Sequence, residues 1–221
     1  MNAKDLKLDY FQFYDVANQI LNEVILVQGQ FDEEPERIRL TYLNLFANPV
    51  SKNGEELYNR HAHLIWYNVF DPVPEPTRTV VFANQFGEQK ILTGRTIGLL
   101  SPTQKYERGS KFPKDLDHFK VYLVLHGQGI DKKVKLKDQF GGDDVDVYYP
   151  VAFAVPVRKQ HGHASFGVQN REAHLAIYRI TPRKLEKPVR ARDQFGRHQL
   201  HVYRSVLLAA PSKKLNWKAE D

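Results

Sequence analysis

Val134-Lys135-Leu136-Lys137-Asp138-Gln139-Phe140 and Val189-Arg190-Ala191-Arg192-Asp193-Gln194-Phe195 carry one pattern, the second lying 55 residues after the first. Apolar and charged residues alternate in both, as in a strand with one buried face. Two earlier stretches, Ile25 to Phe31 and Val80 to Phe86, follow the same scheme. The dipeptide Gln-Phe therefore recurs at Gln30-Phe31, Gln85-Phe86, Gln139-Phe140 and Gln194-Phe195, in steps of 55, 54 and 55 residues. Side chains alternate across a strand, so Ile25/Val27, Val80/Phe82, Val134/Leu136 and Val189/Ala191 share a face with their Phe. That face is expected to point inward.

Two further markers keep step with the first. Downstream of each Gln-Phe lies a Pro-x-x-Lys, at Pro49 to Lys52, Pro102 to Lys105, Pro156 to Lys159 and Pro211 to Lys214. Upstream lies an aromatic or His segment with a fixed Tyr: Tyr10-Phe11-Gln12-Phe13-Tyr14, His63-Leu64-Ile65-Trp66-Tyr67, His118-Phe119-Lys120-Val121-Tyr122 and His174-Leu175-Ala176-Ile177-Tyr178. Three markers in one order, four times over, define a repeat of about 55 residues. Copies one and three also share Pro-Val-x-Lys, and the step from Gln30 to Gln139 gives a longer period of 109 residues. The chain is thus expected to be all-β with little helix. It reads as two tandem domains, each a sandwich or barrel of two pseudo-symmetric repeats. The first would span residues 1–107 and the second 115–217, with 108–114 as the linker inside the polar stretch Tyr106 to Lys114.

With 221 residues the chain has enough length for a real core in either one or two domains. No apolar run approaches the roughly 18 residues of a membrane helix. Met1 to Tyr10 is polar and lacks the apolar centre of a secretory signal, so the expected setting is cytoplasmic, or exported if a leader has been removed. The absence of cysteine excludes a disulfide scaffold, a thiolate zinc site and a Cys nucleophile. The net charge of +6 is unevenly spread. Residues 1–110 hold 11 Lys/Arg against 14 Asp/Glu, and residues 111–221 hold 21 against 12. Such asymmetry points to an acidic partner for the second half or to attraction between halves.

The stretches His118-Phe119-Lys120-Val121-Tyr122, Asp138-Gln139-Phe140-Gly141 and Phe153-Ala154-Val155-Pro156-Val157-Arg158-Lys159, with their equivalents in the other copies, resemble an uncharacterised bacterial repeat family. Its members carry paired motifs of the form His-Phe-x-Cys-Tyr, Asp/Asn-Gln-Phe-Gly and Leu-Cys-x-Pro-x-x-Lys, look like exported proteins, and bring no known activity. Here the first cysteine position holds Phe13, Trp66, Val121 or Ile177, and the second holds Ala47, Leu100, Ala154 or Ala209. If the family's cysteines form a bridge, their Cα atoms lie within about 7 Å. The resemblance therefore implies that Phe13 touches Ala47, Trp66 touches Leu100, Val121 touches Ala154 and Ile177 touches Ala209.

Residues needed in every copy read as architecture: Gln satisfying backbone groups, Phe filling the core, and the Lys pairing with the Asp carboxylate. Function is then sought where the copies differ. His61/His63 and His161/His163 are i, i+2 pairs, but no third ligand accompanies them, and no metal or cofactor is expected. There is no Gly-rich phosphate loop, no Gly-x-Ser-x-Gly and no His-Glu-x-x-His, so no catalytic residue is named. The leading feature is the basic fourth copy, with Arg179, Arg183, Lys184, Lys187, Arg190, Arg192, Arg197 and Arg204 within 26 residues and Tyr178 and Tyr203 nearby. Arg190 and Arg192 share an outward face, as do Lys135 and Lys137 in the third copy, whereas the first half has Leu26/Gln28 and Val81/Ala83 there. The expected function is a non-enzymatic binding or assembly module that offers a basic surface to an acidic protein or polyanion. The alternatives are a ligand-binding or enzymatic site in the cleft between the two domains, built from Trp66, His126, His161 and His163, and direct nucleic-acid binding.

Overall fold

The computed structural model describes residues 3–70 and 74–220. Copy one forms β1 (Tyr10–Gln28) and β2 (Glu36–Lys52), and copy two forms β3 (His63–Phe70), β4 (Arg78–Asn84) and β5 (Gly87–Lys105). Copy three forms β6 (His118–Gly127), β7 (Lys132–Asp138), β8 (Gly141–His161) and the short β9 (Ala164–Phe166). Copy four forms β10 (His174–Ile180), β11 (Lys184–Asp193) and β12 (Gly196–Ala219). A single 3-10 turn, Ala3–Leu6, precedes them, and among the described residues no helix is long and apolar enough to cross a membrane.

All pairings are antiparallel, and they join the twelve strands into one sheet. Because β1 pairs with β12 on one side and β2 on the other, the order β1-β12-β10-β8-β6-β5-β3-β2 closes into a ring of eight strands. Each copy supplies two ring strands. Two copies would supply four, too few to enclose a core, whereas about eight strands make a barrel whose interior side chains just fill. This is why the boundary expected at residues 108–114 does not separate two domains. β5 pairs with β6 across it, with Leu100 opposite Phe119, and β1 pairs with β12, with Phe11 opposite Ala209.

Alternation decides what fills the ring. Phe11, Phe13, Leu64, Trp66, Phe119, Val121, Leu175 and Ile177 point inward with Ala47, Leu100, Ala154 and Ala209, and all belong to one buried cluster drawn from the four copies. The four contacts implied by the resemblance are directly opposed residue pairs: Phe13↔Ala47, Trp66↔Leu100, Val121↔Ala154 and Ile177↔Ala209. Three of them set a large side chain against alanine, which lets opposite walls interdigitate at crystal-like density. Leu6, Leu8, Ala62, Leu116 and Ala173 join the same cluster from the N-terminal segment and the loops. Asp9 accepts hydrogen bonds from the amides of Tyr58 and Asn59, and Asp117 does the same for Gln169 and Asn170, so the 109-residue period survives as a structural twofold.

Trp66 finds its room at Gly98, where an added Cβ would overlap the indole Nε1. Gly98→Ala should therefore destabilise the barrel by about 1–3 kcal/mol through overpacking, read as a lowered urea midpoint. An unchanged midpoint would mean that the indole has another rotamer available.

The outer face of the ring is covered by the hairpins. β4, β7 and β11 each pair with the first half of β5, β8 and β12, and in copy one the outer halves of β1 and β2 do the same. As the alternation predicts, Ile25, Val27, Val80, Phe82, Val134, Leu136, Val189 and Ala191 are all buried. Together they form two clusters against the ring, one with Tyr122, Phe153 and Tyr178, the other with Tyr14, Phe46 and Tyr67. Each hairpin also extends the far end of a long strand two copies away, as in Leu26–Gln28 beside Arg158–Gln160 and Ala191–Arg192 beside Gln104–Lys105.

Candidate functional site

The repeated motifs meet where hairpins dock on the ring. Tyr14 donates its hydroxyl to Asp138 (2.6 Å), Tyr67 to Asp193 (2.7 Å) and Tyr122 to Asp32 (3.4 Å), while Asn84 donates to Tyr178 (2.8 Å). Every one of these bonds joins a copy to the copy two steps on. The same Asp138, Asp193 and Asn84 side chains accept the amides of Phe140, Phe195 and Phe86, each at 2.8 Å, and so hold the hairpin turn. Copy one has Gly29 at that position, and Asp32 takes over by accepting the Gly29 amide at 2.8 Å. Burial and the neighbouring carboxylate push the hydroxyls of Tyr14 and Tyr67 well above the usual tyrosine range, so both remain donors.

The lysines of Pro-x-x-Lys do not pair with that carboxylate, as the sequence reading has it. They lie over aromatic rings. Lys52, Lys105, Lys159 and Lys214 sit 5.9, 4.8, 4.8 and 5.0 Å from the rings of Phe86, Phe140, Phe195 and Phe31. Each lysine covers the phenylalanine of the next copy, and the fourth covers that of the first. Lys52 and Lys105 also have Glu55 and Glu107 at 3.5 and 3.3 Å. Lys159 is fully buried, lies between Phe195 and Phe166 at 4.8 and 4.7 Å, and finds no hydrogen-bond acceptor for its Nζ. Burial lowers it to about 7, against the opposing charge of Asp193.

Fourfold symmetry breaks most sharply at Lys120. Its counterparts are Gln12, Ile65 and Ala176. The ammonium is wholly buried beneath the first hairpin, 2.9 Å from Asp32 and 3.5 Å from Glu75, and it bonds to Glu36 as well. Glu75 in turn binds Arg78 at 2.9 Å and the Thr96 hydroxyl. Burial alone would lower Lys120, but Asp32, Glu75 and Glu36 outweigh it and raise its pKa above the ordinary lysine value. Glu36 is raised, first by burial and then by Glu75 and Asp32, with Lys120 opposing. Sequence reasoning passed over this cluster, although a lone lysine among Gln, Ile and Ala at one repeat position signals it.

The basic residues named from the sequence divide between places. Lys135 and Lys137 are exposed on β7, where Lys135 faces Asp144 across the hairpin. Arg183 is committed to the third copy, donating to the carbonyls of Gly142 and Phe140 at 3.1 and 3.5 Å with Asp143 at 3.9 Å. Arg179 is exposed on β10 opposite Leu207. Lys184, Lys187, Arg190 and Arg192 are exposed on β11 and have no carboxylate partner among the described residues. Across the hairpin, Arg192 stands directly opposite Arg197 and Arg190 opposite Gln199, with exposed His201 and Tyr203 next along β12. Tyr178, expected beside this face, is buried.

The residues of the cleft reading lie apart. Trp66 is inside the barrel, His126 lines a recess of about 280 Å³, His161 bonds to Glu23 at 2.9 Å, and His163 is exposed. His63 contacts Asn48 at 3.1 Å, and burial takes it down to about 3. No group of three or more His, Cys, Asp or Glu side chains suited to a metal ion occurs among the described residues.

Neither a curated protein nor a solved structure matches the chain. A family described as a repeat of unknown function, DUF7450, matches residues 63–211, which is copies two to four up to the last Pro-x-x-Lys. On that match, covering well over half of its length, the chain belongs to the DUF7450 family.

Proposed function

We propose that the protein is a non-enzymatic binding module in which the exposed face of the β11–β12 hairpin receives an acidic segment of a partner protein. The observation that carries this reading is the Arg192↔Arg197 pair. Directly opposed residues on one face of an antiparallel pair have Cβ atoms about 5 Å apart, and like charges there are destabilising. Lys133 and Arg204, by contrast, are offset within the chain by Asp146 and Asp15. On β11–β12 the repulsion is left unrelieved, and Arg190, on the same face opposite Gln199, adds to it. An acidic partner would relieve it while His201, Tyr203 and Tyr106 supply aromatic contact. The remainder of the chain acts as the rigid frame that holds the hairpin.

The test is binding of the whole chain to poly-glutamate, heparin and duplex DNA at low and high salt. Poly-glutamate should bind at low salt and be released as salt rises. Replacing Arg190, Arg192 and Arg197 together by Gln should weaken it about 10- to 100-fold, at up to about 1 kcal/mol per exposed charge. Equal binding by the triple variant would overturn the assignment of the surface. A marked preference for DNA over poly-glutamate would make the partner a nucleic acid and overturn the acidic-protein reading.

A further inference from the structure

The first hairpin closes over Lys120 with acids drawn from three places. Lys120 lies in β6, Glu36 opens β2, Asp32 sits in the turn before it, and Glu75 precedes β4. The Lys120 side chain is fully buried, and those of Asp32, Glu36 and Glu75 are 7, 13 and 6% exposed. Its Nζ therefore faces carboxyl groups instead of bulk water, with the Tyr122 ring 5.1 Å away. Copies one, two and four have Gln12, Ile65 and Ala176 in place of the lysine, so this juxtaposition belongs to copy three alone.

The three acids are not equivalent. Asp32 is held at both oxygens: Oδ2 accepts the Gly29 amide at 2.8 Å, and Oδ1 accepts from Lys120 at 2.9 Å and from the Tyr122 hydroxyl at 3.4 Å. Glu75 is held by Arg78 at 2.9 Å and by the hydroxyl and amide of Thr96. Glu36 is bonded to Lys120 through Oε2 only, and its Oε1 is buried without a hydrogen-bond partner. Burial raises Glu36 against the pull of Lys120, which favours the uncharged acid, the form whose hydroxyl can leave.

We infer that Lys120 and Glu36 condense to an intramolecular isopeptide bond, with Asp32 as the proton acceptor. The ion cluster is the reactant. Although burial opposes it, the three acids hold Lys120 as an ammonium, which first gives one proton to Asp32. The amine Nζ then adds to Cδ of the protonated Glu36, forming the C–N bond. The C–O bond breaks, and the hydroxyl leaves with a second amine proton as water. The third proton stays on the amide nitrogen, and Asp32 passes its own to solvent. Well-oriented neighbours react as if at about 10⁵–10⁸ M, so no further reagent is needed. The product exchanges two buried charges for a neutral amide, which removes the desolvation penalty of the pair. Water released from a closed site is not at hand to hydrolyse the bond. The first hairpin is then tied covalently to the ring, independently of the β11–β12 face.

Intact-mass spectrometry of the whole chain under denaturing conditions tests the inference. The native chain should be lighter than its sequence by one water, whereas Lys120→Arg, which keeps the charge but has no primary amine, should show its full mass. Trypsin should leave residues 8–37 and 115–132 joined in one branched peptide, because an acylated Lys120 is no longer cleaved. Fragmentation should place the branch at Glu36. Asp32→Asn, which can still accept the Gly29 amide, should keep its full mass while its circular dichroism matches that of the native chain. A native chain at full mass would overturn the inference whether or not the variants fold. Water loss that survives in Lys120→Arg, or a branch at Asp32, would overturn the pairing, and water loss in Asp32→Asn would overturn its role as proton acceptor.

Discussion

Lys120→Met should cost the protein about 3–5 kcal/mol, the penalty of removing one partner from a buried charge cluster. Without the ammonium, Asp32, Glu36 and Glu75 remain gathered in a site that excludes water, with only Arg78 to balance them. These groups come from the first hairpin, the start of β2 and the segment before β4, while Lys120 lies in the ring itself. The loss should therefore loosen the first hairpin as well as lower the urea midpoint. A typical domain has about 5–15 kcal/mol in total, so the effect is a large share of the whole. The repeat supplies the control, because copy two manages with Ile65 at the same position. Lys120→Ile combined with Asp32→Asn and Glu36→Gln should recover much of the loss. A cost below about 1 kcal/mol for Lys120→Met would show that water reaches the carboxylates.

Lys159→Met should act in the opposite sense. Lys159 is buried without an acceptor and its pKa falls to about 7, whereas an exposed lysine titrates near 10.5. The unfolded chain therefore binds more protons than the folded one between those values. Stability rises with pH where that holds, by up to about 1.4 kcal/mol per unit for one group. The native protein should accordingly gain stability from about pH 7 towards pH 9.5, and the methionine variant should lack that gain. Near pH 7 the variant should be the more stable, by on the order of 2–4 kcal/mol, because a thioether between Phe166 and Phe195 needs no hydration. Urea titrations of both proteins at several pH values read the difference. A variant less stable than the native chain at pH 7 would mean that the two rings hold the ammonium charged.

Local pattern made the hairpins legible, since period-two alternation states which face of each is buried and all eight residues so assigned are buried. Closure was not legible. A 55-residue repeat is compatible with two small tandem units or one ring, and the choice depends on Phe11 meeting Ala209, a pairing between opposite ends of the chain. Within the motifs, the Asp of Asp-Gln-Phe finds Tyr14 and Tyr67 two copies away instead of the nearby lysine, because the buried hydroxyl needs an acceptor and the lysine already has a ring. Copy one hid its equivalent by moving the carboxylate from position 29 to Asp32. The Lys120 cluster draws on residues 32, 36, 75 and 120, and no sequence spacing brings those together.

The β1–β12 seam sets the order in which the molecule can be completed. Of the eight ring strands, β1 is the first to leave a ribosome and its ring neighbour β12 the last. Until that final strand emerges, the growing sheet has two raw edges, each a row of unpaired amides and carbonyls. A nascent chain in that state is poised to pair with a neighbour instead of with itself, so slow translation or truncation within copy four should favour intertwined dimers and aggregates. The ring becomes safe only when β12 arrives.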